Sequence, residues 1–395
     1  MTVRTQPAER GTSQPLRVLH LASYSPLNRM YRHLFDALHE QGVRQTVCSP
    51  RGVVPDSIRT ANCEWIEKSI WGRRHRLLFG AKVARYERMV ESSGFVPDQT
   101  TVVHAHTLFS DGFAARRVAR RYGLPYVVAV RNTDINLFAK YFPHLRAEAR
   151  QVLLEASAVI FLNRPYIQKL QSKLDVEIPE ARIKQIPNGI DEFWHTNPPT
   201  DLWVGSLKRI RQSDDPIKII SIGLVDRSKN HSLLIEAVRM ATGEGERKLS
   251  LTVIGSIDSA YGRKLANTNE AIDIRFTGRL PKEDVRQELS KHDVFALVSK
   301  RETFGLVYAE AISQGLPVIY TRGEGFDGWI TDQDLGRACA SDDAECVRQS
   351  AVELGTADSQ ALATRRQEFS ARFKWRTVAS EIRSCYASAL EEKVP

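Results

Sequence analysis

An apolar run from Val294 to Val298 leads into Arg301-Glu302-Thr303-Phe304-Gly305-Leu306-Val307-Tyr308-Ala309-Glu310, an apolar-periodic segment that ends at Gly315. Pro317 follows, and then Val318, Ile319 and Tyr320 supply a second apolar run. A glycine just past a helix, a proline after it and a further apolar strand make a strand-loop-helix-strand unit. Its loop lies at the carboxyl end of a parallel strand, where ligands bind in open α/β sheets. The main-chain N–H groups from about Phe304 to Val307 have no partner within the helix, so the loop suits an anion.

Two carboxylates flank that place. Unpaired, they would repel a phosphate, unless the bound group also brings hydroxyls for them to accept. Glu302 and Glu310 then serve two polyols, a hexose and a ribose on either side of a diphosphate. The plainer alternative makes Glu302 a complement to the helix dipole and Glu310 a solvated helix residue. The run Glu302-Thr-Phe-Gly-Leu-Val-Tyr-Ala-Glu310-Ala-Ile-Ser-Gln-Gly315-Leu-Pro317 closely resembles the donor-site signature of the retaining GT-B glycosyltransferases of family 4. The resemblance implies that Glu302 contacts the donor sugar and Glu310 the nucleotide ribose. By the same likeness, the amides of Phe304, Gly305 and Leu306 inherit the diphosphate.

A chain of 395 residues, 42% of them hydrophobic, is long enough for two cores. No apolar stretch approaches the roughly 18 to 20 residues that cross a bilayer, and Met1 to Pro15 is polar, which leads us to expect a disordered leader and a cytoplasmic protein. Five scattered cysteines without a C-x-x-C pair point to reduced thiols. Residues 1 to 200 hold 28 Lys and Arg against 18 Asp and Glu, the remainder 28 against 29. The first half is therefore the basic one, suited to an anionic acceptor or membrane surface. Nucleic acid also suits a basic half but leaves Glu302 and Glu310 without a role, so no nucleic-acid partner is expected.

Along the first half, Leu16 to Ala22 is a strand, and the loop with Ser25, Pro26, Asn28 and Arg29 leads into a helix closed by Gly42. The family usually has a glycine pair here; Ser25 and Pro26 stand in its place. Ser25, Asn28, Arg29 and His106 are the acceptor-side candidates. Trp71 to Arg88 mixes apolar and basic residues at helical spacing, a pattern shared by membrane-surface helices and ordinary core-facing ones. His104 and His106 share one face at a strand end near Asp111. H-x-H with a nearby acid also occurs in metal sites, but no further cluster of suitable spacing joins it, and no metal is expected. The segment instead resembles the family's His-Ala-His strand. The strand Pro125 to Val130 runs into Arg131-Asn132-Thr133-Asp134, where the family has His-Gly-x-Asp. Arg131 thus replaces a histidine that sits near the donor's reacting carbon, and Asp134 matches the motif's acid. A planar guanidinium suits a uronate carboxyl or an anionic acceptor, or else a salt bridge to Asp134.

Ile186-Pro-Asn-Gly-Ile-Asp191 resembles a family turn, and Thr196 to Pro216 reads as a linker with a short helical piece around Val204 to Arg211. Beyond Ile217 to Ile222, Gly223-Leu224-Val-Asp-Arg227-Ser-Lys229 matches the family's Gly-Arg-x-x-x-x-Lys pattern at Gly223 and Lys229, with Leu224 in the arginine's place. Arg227 or Arg301 is a candidate for the missing cation, Arg227 being preferred, and Arg279 lies on the next turn. Gly323-Glu-Gly-Phe-Asp-Gly328 follows a strand in G-x-G-x-x-G form without a helix opening behind it, and Asp332-Gln333-Asp334 is D-x-D in letters only.

The resemblance implies an α/β protein of GT-B fold, two facing Rossmann-like domains with a deep interdomain cleft and a C-terminal helix crossing back to the first domain. The expected boundaries are a leader 1–15, an acceptor-side domain 16–195, a linker 196–216, a nucleotide-sugar domain 217–374 and a crossover helix 375–395. The expected activity is metal-independent, retaining hexosyl transfer from a UDP-linked sugar to a hydroxyl of a carbohydrate, lipid-linked or small-metabolite acceptor. The nucleotide sugar is a co-substrate and no cofactor is implied. An epimerase of the same fold and a non-catalytic sugar- or nucleic-acid-binding protein are the alternatives.

Overall fold

The computed structural model describes residues 15–24, 28–72, 79–199, 215–241, 247–267, 273–331, 333–357 and 363–392. Ser25, the helical piece proposed at 204–211, nearly all of the leader and Asp332 lie outside them.

The chain divides into two compact units, one of Met1–Ala129, Gln151–Val159 and Ile382–Pro395, the other of Val130–Arg150 and Ile160–Glu381. The first sheet comprises β1 (Arg17–Leu21), β2 (Arg44–Ser49), β3 (Glu64–Glu67), β4 (Thr101–Ala105), β5 (Tyr126–Val130), β6 (Ala158–Phe161) and β7 (Ile183–Gln185), in the order β3-β2-β1-β4-β5-β6-β7. The order reverses at β1 and β4, which pair in parallel from Arg17↔Thr101 to Leu21↔Ala105.

The second sheet comprises β8 (Ile217–Ile222), β9 (Leu249–Ile254), β10 (Ile274–Gly278), β11 (Val294–Leu297), β12 (Val318–Thr321) and β13 (Gly336–Cys339), in the order β10-β9-β8-β11-β12-β13. Every neighbouring pair in it is parallel. β9, β11 and β12 are buried along their whole length, as strands covered by helices on both faces must be. Their apolar side chains face two cores. One gathers Val225, Leu234, Val238, Val253 and Val347. The other gathers Phe295, Phe304, Tyr308, Phe326, Trp329 and Phe373. Both sheets are Rossmann-like, as expected.

The last helix, Trp375–Glu391, begins with Trp375 in the second unit and ends in the first. In the first unit its Tyr386 is fully buried, and the phenol oxygen lies 2.6 Å from His104 Nδ1.

Candidate functional site

The expected strand-loop-helix unit is present: β11, a loop through Glu302, the helix Leu306–Ser313 and β12. Phe304 is 2% exposed and packs edge-on against Phe326 and Trp329, which anchors the loop to the core. Gly305 caps the helix at φ 80°, a left-handed conformation that costs a residue with a Cβ about 1–2 kcal/mol. A Cβ there would also stand 2.3 Å from the Tyr308 ring. The helix therefore starts abruptly, with its first-turn amides at the loop.

Glu302 lies in this loop, 9% exposed. Its Oε2 is 2.7 Å from Lys229 Nζ and 3.5 Å from Ser299 Oγ, and its Oε1 accepts from the Thr303 amide at 3.0 Å. Lys229 comes from the loop after β8, whose Asp226 carboxylate accepts from the Ser228 and Lys229 amides. Those bonds hold the Asp226 carboxyl below the usual carboxylate range against the opposing effect of burial. Gly223 donates to Ile254 O at 2.9 Å, keeping the loop close to β9. Of the two arginines proposed to replace the missing cation, Arg227 is exposed with its guanidinium 5.1 Å from the Tyr261 ring centre, and Arg301 is exposed, as is Arg279 on the next turn. Lys229, the lysine of the expected pattern, is the cation paired with Glu302.

Behind Glu302 stands a layer that sequence reasoning missed. Tyr166 Oη donates to the Glu302 carbonyl, and Asn132 Nδ2 lies 3.3 Å from the same oxygen and 2.6 Å from Tyr166 Oη. Glu324 Oε2 accepts from the Glu302 amide at 3.4 Å and is itself tethered through Oε1 to Lys169 Nζ at 2.7 Å. Asn163 Nδ2 donates to the Gly325 carbonyl at 2.7 Å. At Gly325, φ is 37° and a Cβ would stand 2.6 Å from Glu302 Cγ. The G-x-G-x-x-G letters thus mark a buttress for Glu302, and the absence of a side chain at its second glycine was the available signal.

Arg131 donates through its main-chain N–H to Asp134 Oδ2 at 2.8 Å, and its Nη1 lies 3.5 Å from Asn188 Oδ1. Asp134 is buried and opens a π-helical turn, Asp134–Phe138. Glu310 sits mid-helix and keeps some exposure, yet burial of its carboxyl raises its pKa to about 7. A hydrogen bond from Trp194 and the Lys282 charge oppose that rise, whereas Asp191 adds to it.

In the first unit, Asn28 Oδ1 accepts from the Met30 amide at 3.0 Å, and Asn28 and Arg29 are exposed at the start of the helix Met30–Glu40. His106 is fully buried, stacked on His104 and 3.0 Å through Nε2 from His20 Nδ1. His20, His104 and His106 each bring one ring nitrogen within 4.8 Å of the others, a set that a metal could use and that H-x-H spacing alone did not reveal. Burial lowers the His20 pKa to about 3, with Gln45 opposing, so the ring is neutral at pH 7. A cavity of about 500 Å³ in this unit, lined by Arg17, Arg44, Gln45 and Asn62 among others, lies toward the amino ends of β1 and β2. Parallel sheets do not usually bind ligands there.

The family model of "Glycosyl transferases group 1" matches residues 206–351, and that of "Glycosyltransferase Family 4" matches residues 27–192. The chain belongs to glycosyltransferase family 4. As a family 4 glycosyltransferase it depends on a nucleotide-sugar donor. This glycosyltransferase is 27% identical over 331 residues to a D-inositol 3-phosphate glycosyltransferase of Mycobacteroides abscessus, covering 80% of this chain and 70% of the relative. Its fold is that of sucrose-phosphate synthase from Thermosynechococcus elongatus, with a TM-score of 0.67 at 17% identity over 95% of this chain and 98% of that one. Anabaena HepE in complex with UDP superposes with a TM-score of 0.64 at 16% identity, covering 95% of this chain and 100% of that one. The glycosyltransferase therefore has the GT-B fold. Among its described residues no helix is long and apolar enough to cross a membrane.

Proposed function

We propose that this glycosyltransferase is a retaining hexosyltransferase that takes a UDP-linked donor at the loop around Glu302 and passes the sugar to a hydroxyl of a carbohydrate, lipid-linked or small-metabolite acceptor. The observation that carries this reading is the Lys229–Glu302 pair at 2.7 Å beside the opening of the Leu306–Ser313 helix, a cation and an acceptor at one anion-suited helix end. On binding, Lys229 turns to the diphosphate together with the amides of Phe304, Gly305 and Leu306, and the Glu302 carboxylate accepts from hydroxyls of the sugar. Gly223 leaves room for the backbone to approach, and Arg227, Arg279 and Arg301 add positive potential around the nucleotide. Glu310 accepts from the ribose. UDP is the nucleotide named for the HepE complex, and a phosphorylated polyol is named for the mycobacterial relative.

The bond from the anomeric carbon to the phosphate oxygen breaks first, its electron pair leaving on the diphosphate, where Lys229 and the helix amides meet the growing charge. The acceptor oxygen attacks the same face and gives its proton to the departing phosphate oxygen. Arg131 and Asp134 stand at the reacting carbon, and Arg131 pairs with a C6 carboxylate of a uronate donor or with an anionic acceptor. Asn28, Arg29 and Ser25 form the acceptor side, with His106, buried against His20 and His104, as a support and not a contact. These cations and amides do the work of a metal, so no metal is required. The domain boundaries at 195, 216 and 374 belong to the same proposal, as does peripheral contact of the basic first half with the cytoplasmic face of the membrane.

Product NMR is expected to show retained anomeric configuration; inversion overturns the mechanism. Thermal unfolding with a panel of nucleotide sugars is expected to raise the melting temperature for UDP-linked hexoses and not for GDP- or ADP-linked ones, since only ligands that bind the fold stabilise it. Among UDP sugars, preference for UDP-glucuronate supports the uronate role of Arg131, and preference for UDP-glucose or UDP-N-acetylglucosamine discards it.

Glu310 sets a pH dependence. With its pKa raised to about 7, the carboxyl is neutral below that pH and a poorer acceptor for ribose hydroxyls. The donor KM is expected to rise as pH falls from about 8 to 6, and Glu310→Gln is expected to flatten the profile. The stability effect has the opposite sense. A carboxyl whose folded pKa lies above its unfolded value contributes most at low pH, and that contribution is lost as pH rises through about 7. An unchanged KM profile in Glu310→Gln removes Glu310 from the donor site.

A further inference from the structure

The first unit holds a second polar centre that the transfer scheme leaves unused. It lies past the carboxyl ends of β1, β2 and β4: Ser23 follows β1, Arg51 follows β2, and Ser110 and Asp111 open the helix after β4. The strand order reverses at β1 and β4, and ligands of open parallel sheets bind in the crevice at such a point. Asp111 is fully buried, accepting from the Ser23 amide at 3.2 Å and from Thr107 Oγ1 at 3.1 Å. Arg51 Nε donates to the Ser23 carbonyl at 2.7 Å, and its guanidinium lies 5.2 Å from the Tyr24 ring centre and 5.6 Å from that of Trp71. Lys82 Nζ donates to Ser110 Oγ at 2.6 Å and lies 4.1 Å from the centre of the same Trp71 ring.

Two cations therefore share one indole. Among the described residues neither forms an ion pair with a carboxylate, and the buried Trp71 Nε1 has no acceptor. Burial lowers the Lys82 pKa to about 8; Asp111 opposes that shift and Arg51 adds to it, so the two cations repel each other. Asp111, the carboxylate of the centre, already accepts from Ser23 and Thr107, which leaves Arg51, Lys82 and the Trp71 N–H as donors to offer a ligand carrying a phosphate or carboxylate group. Arg51 offers a planar fork for such a group and Lys82 a point charge beside it.

We propose that Arg51 and Lys82, with the Trp71 N–H, form a subsite for an oxyanion carried by the sugar acceptor. The assignment to the acceptor rests on the transfer reading above, because there the donor's diphosphate is held at Lys229.

The test is calorimetric titration of inorganic phosphate into the full chain, with and without saturating UDP. Wild type is expected to bind phosphate in both states. Arg51→Gln and Lys82→Met are each expected to weaken the binding seen with UDP present about tenfold and the double variant to abolish it, with UDP affinity unchanged as the control for folding. Trp71→Phe, which keeps an aromatic face and removes the N–H, is expected to weaken it severalfold. Hexose 6-phosphate, hexuronate and neutral hexose are then compared. Tighter binding of either charged sugar than of the neutral one, lost in the double variant, supports the subsite and shows which oxyanion it prefers. Phosphate bound equally by wild type and the double variant, no phosphate binding by wild type, or a neutral hexose bound as tightly as its charged forms overturns it. A chain that binds no UDP yet shows Arg51- and Lys82-dependent phosphate binding removes the donor reading and leaves the subsite standing.

Discussion

Glu302→Ala is expected to lower kcat/KM by about a hundred- to a thousandfold, the usual loss when one fixed polar contact to a transition state is removed. The fold should survive it. The Lys229–Glu302 pair is largely buried, with side chains 25% and 10% exposed, so removing the carboxylate leaves Lys229 short of a partner and costs stability about 1–3 kcal/mol. The loop is also held through the main chain of Glu302, which the substitution leaves in place. Lys229→Ala is expected to cause a loss of similar size, expressed in donor KM as well as kcat, because a leaving diphosphate carries more charge than the bound one. The two losses should not add fully in the double variant, since each single change already breaks the pair. Steady-state kinetics beside melting curves decide the matter: near-normal turnover in both single variants removes the site, and melting temperatures that collapse in both make the pair structural.

Gly305→Ala is expected to damage folding and activity together. The left-handed backbone at φ 80° costs an alanine about 1–2 kcal/mol. Its Cβ would press to 2.3 Å on the buried Tyr308 ring, and overpacking of that kind adds about 1–3 kcal/mol. Tyr308 cannot easily yield, because its hydroxyl donates to the Leu297 carbonyl at 2.6 Å and its ring lies against Phe295 and Phe326. For a unit of this size the total corresponds to a drop of roughly 5–15 °C in melting temperature. If the variant melts as wild type does, the helix start tolerates a side chain and the tight capping described here is wrong.

The helix Leu306–Ser313 and its flanking strands were legible because β11 and β12 are apolar on both faces and Gly305, Gly315 and Pro317 punctuate them. β2 was harder to see. Its sequence, Arg44-Gln-Thr-Val-Cys-Ser, looks half polar, yet five of its six residues are buried. Gln45 is tolerated inside because its Nε2 donates to the Phe35 carbonyl at 2.8 Å, a partner ten residues away that no local pattern announces. The same holds at the candidate site. Glu302, Glu310 and Lys229 sit in recognisable runs, whereas Tyr166 and Lys169 come from a distant segment with no motif of their own, and Asn132 and Glu324 lie in the quoted runs 131–134 and 323–328, whose letters do not announce Glu302 as their partner. Arg227 was preferred as the extra cation from its place in the loop, but a loop position does not say which way a long side chain turns, and this one rests on Tyr261.

The grip of Tyr166 and Glu324 on the peptide groups of residue 302 separates the shape of the loop from the chemistry of its side chain. Selection can therefore exchange what that side chain recognises without rebuilding its platform. On the proposed donor role of Glu302, retuning toward another sugar would then begin with Ser299, whose hydroxyl lies 3.5 Å from the carboxylate, and leave the supports beneath untouched.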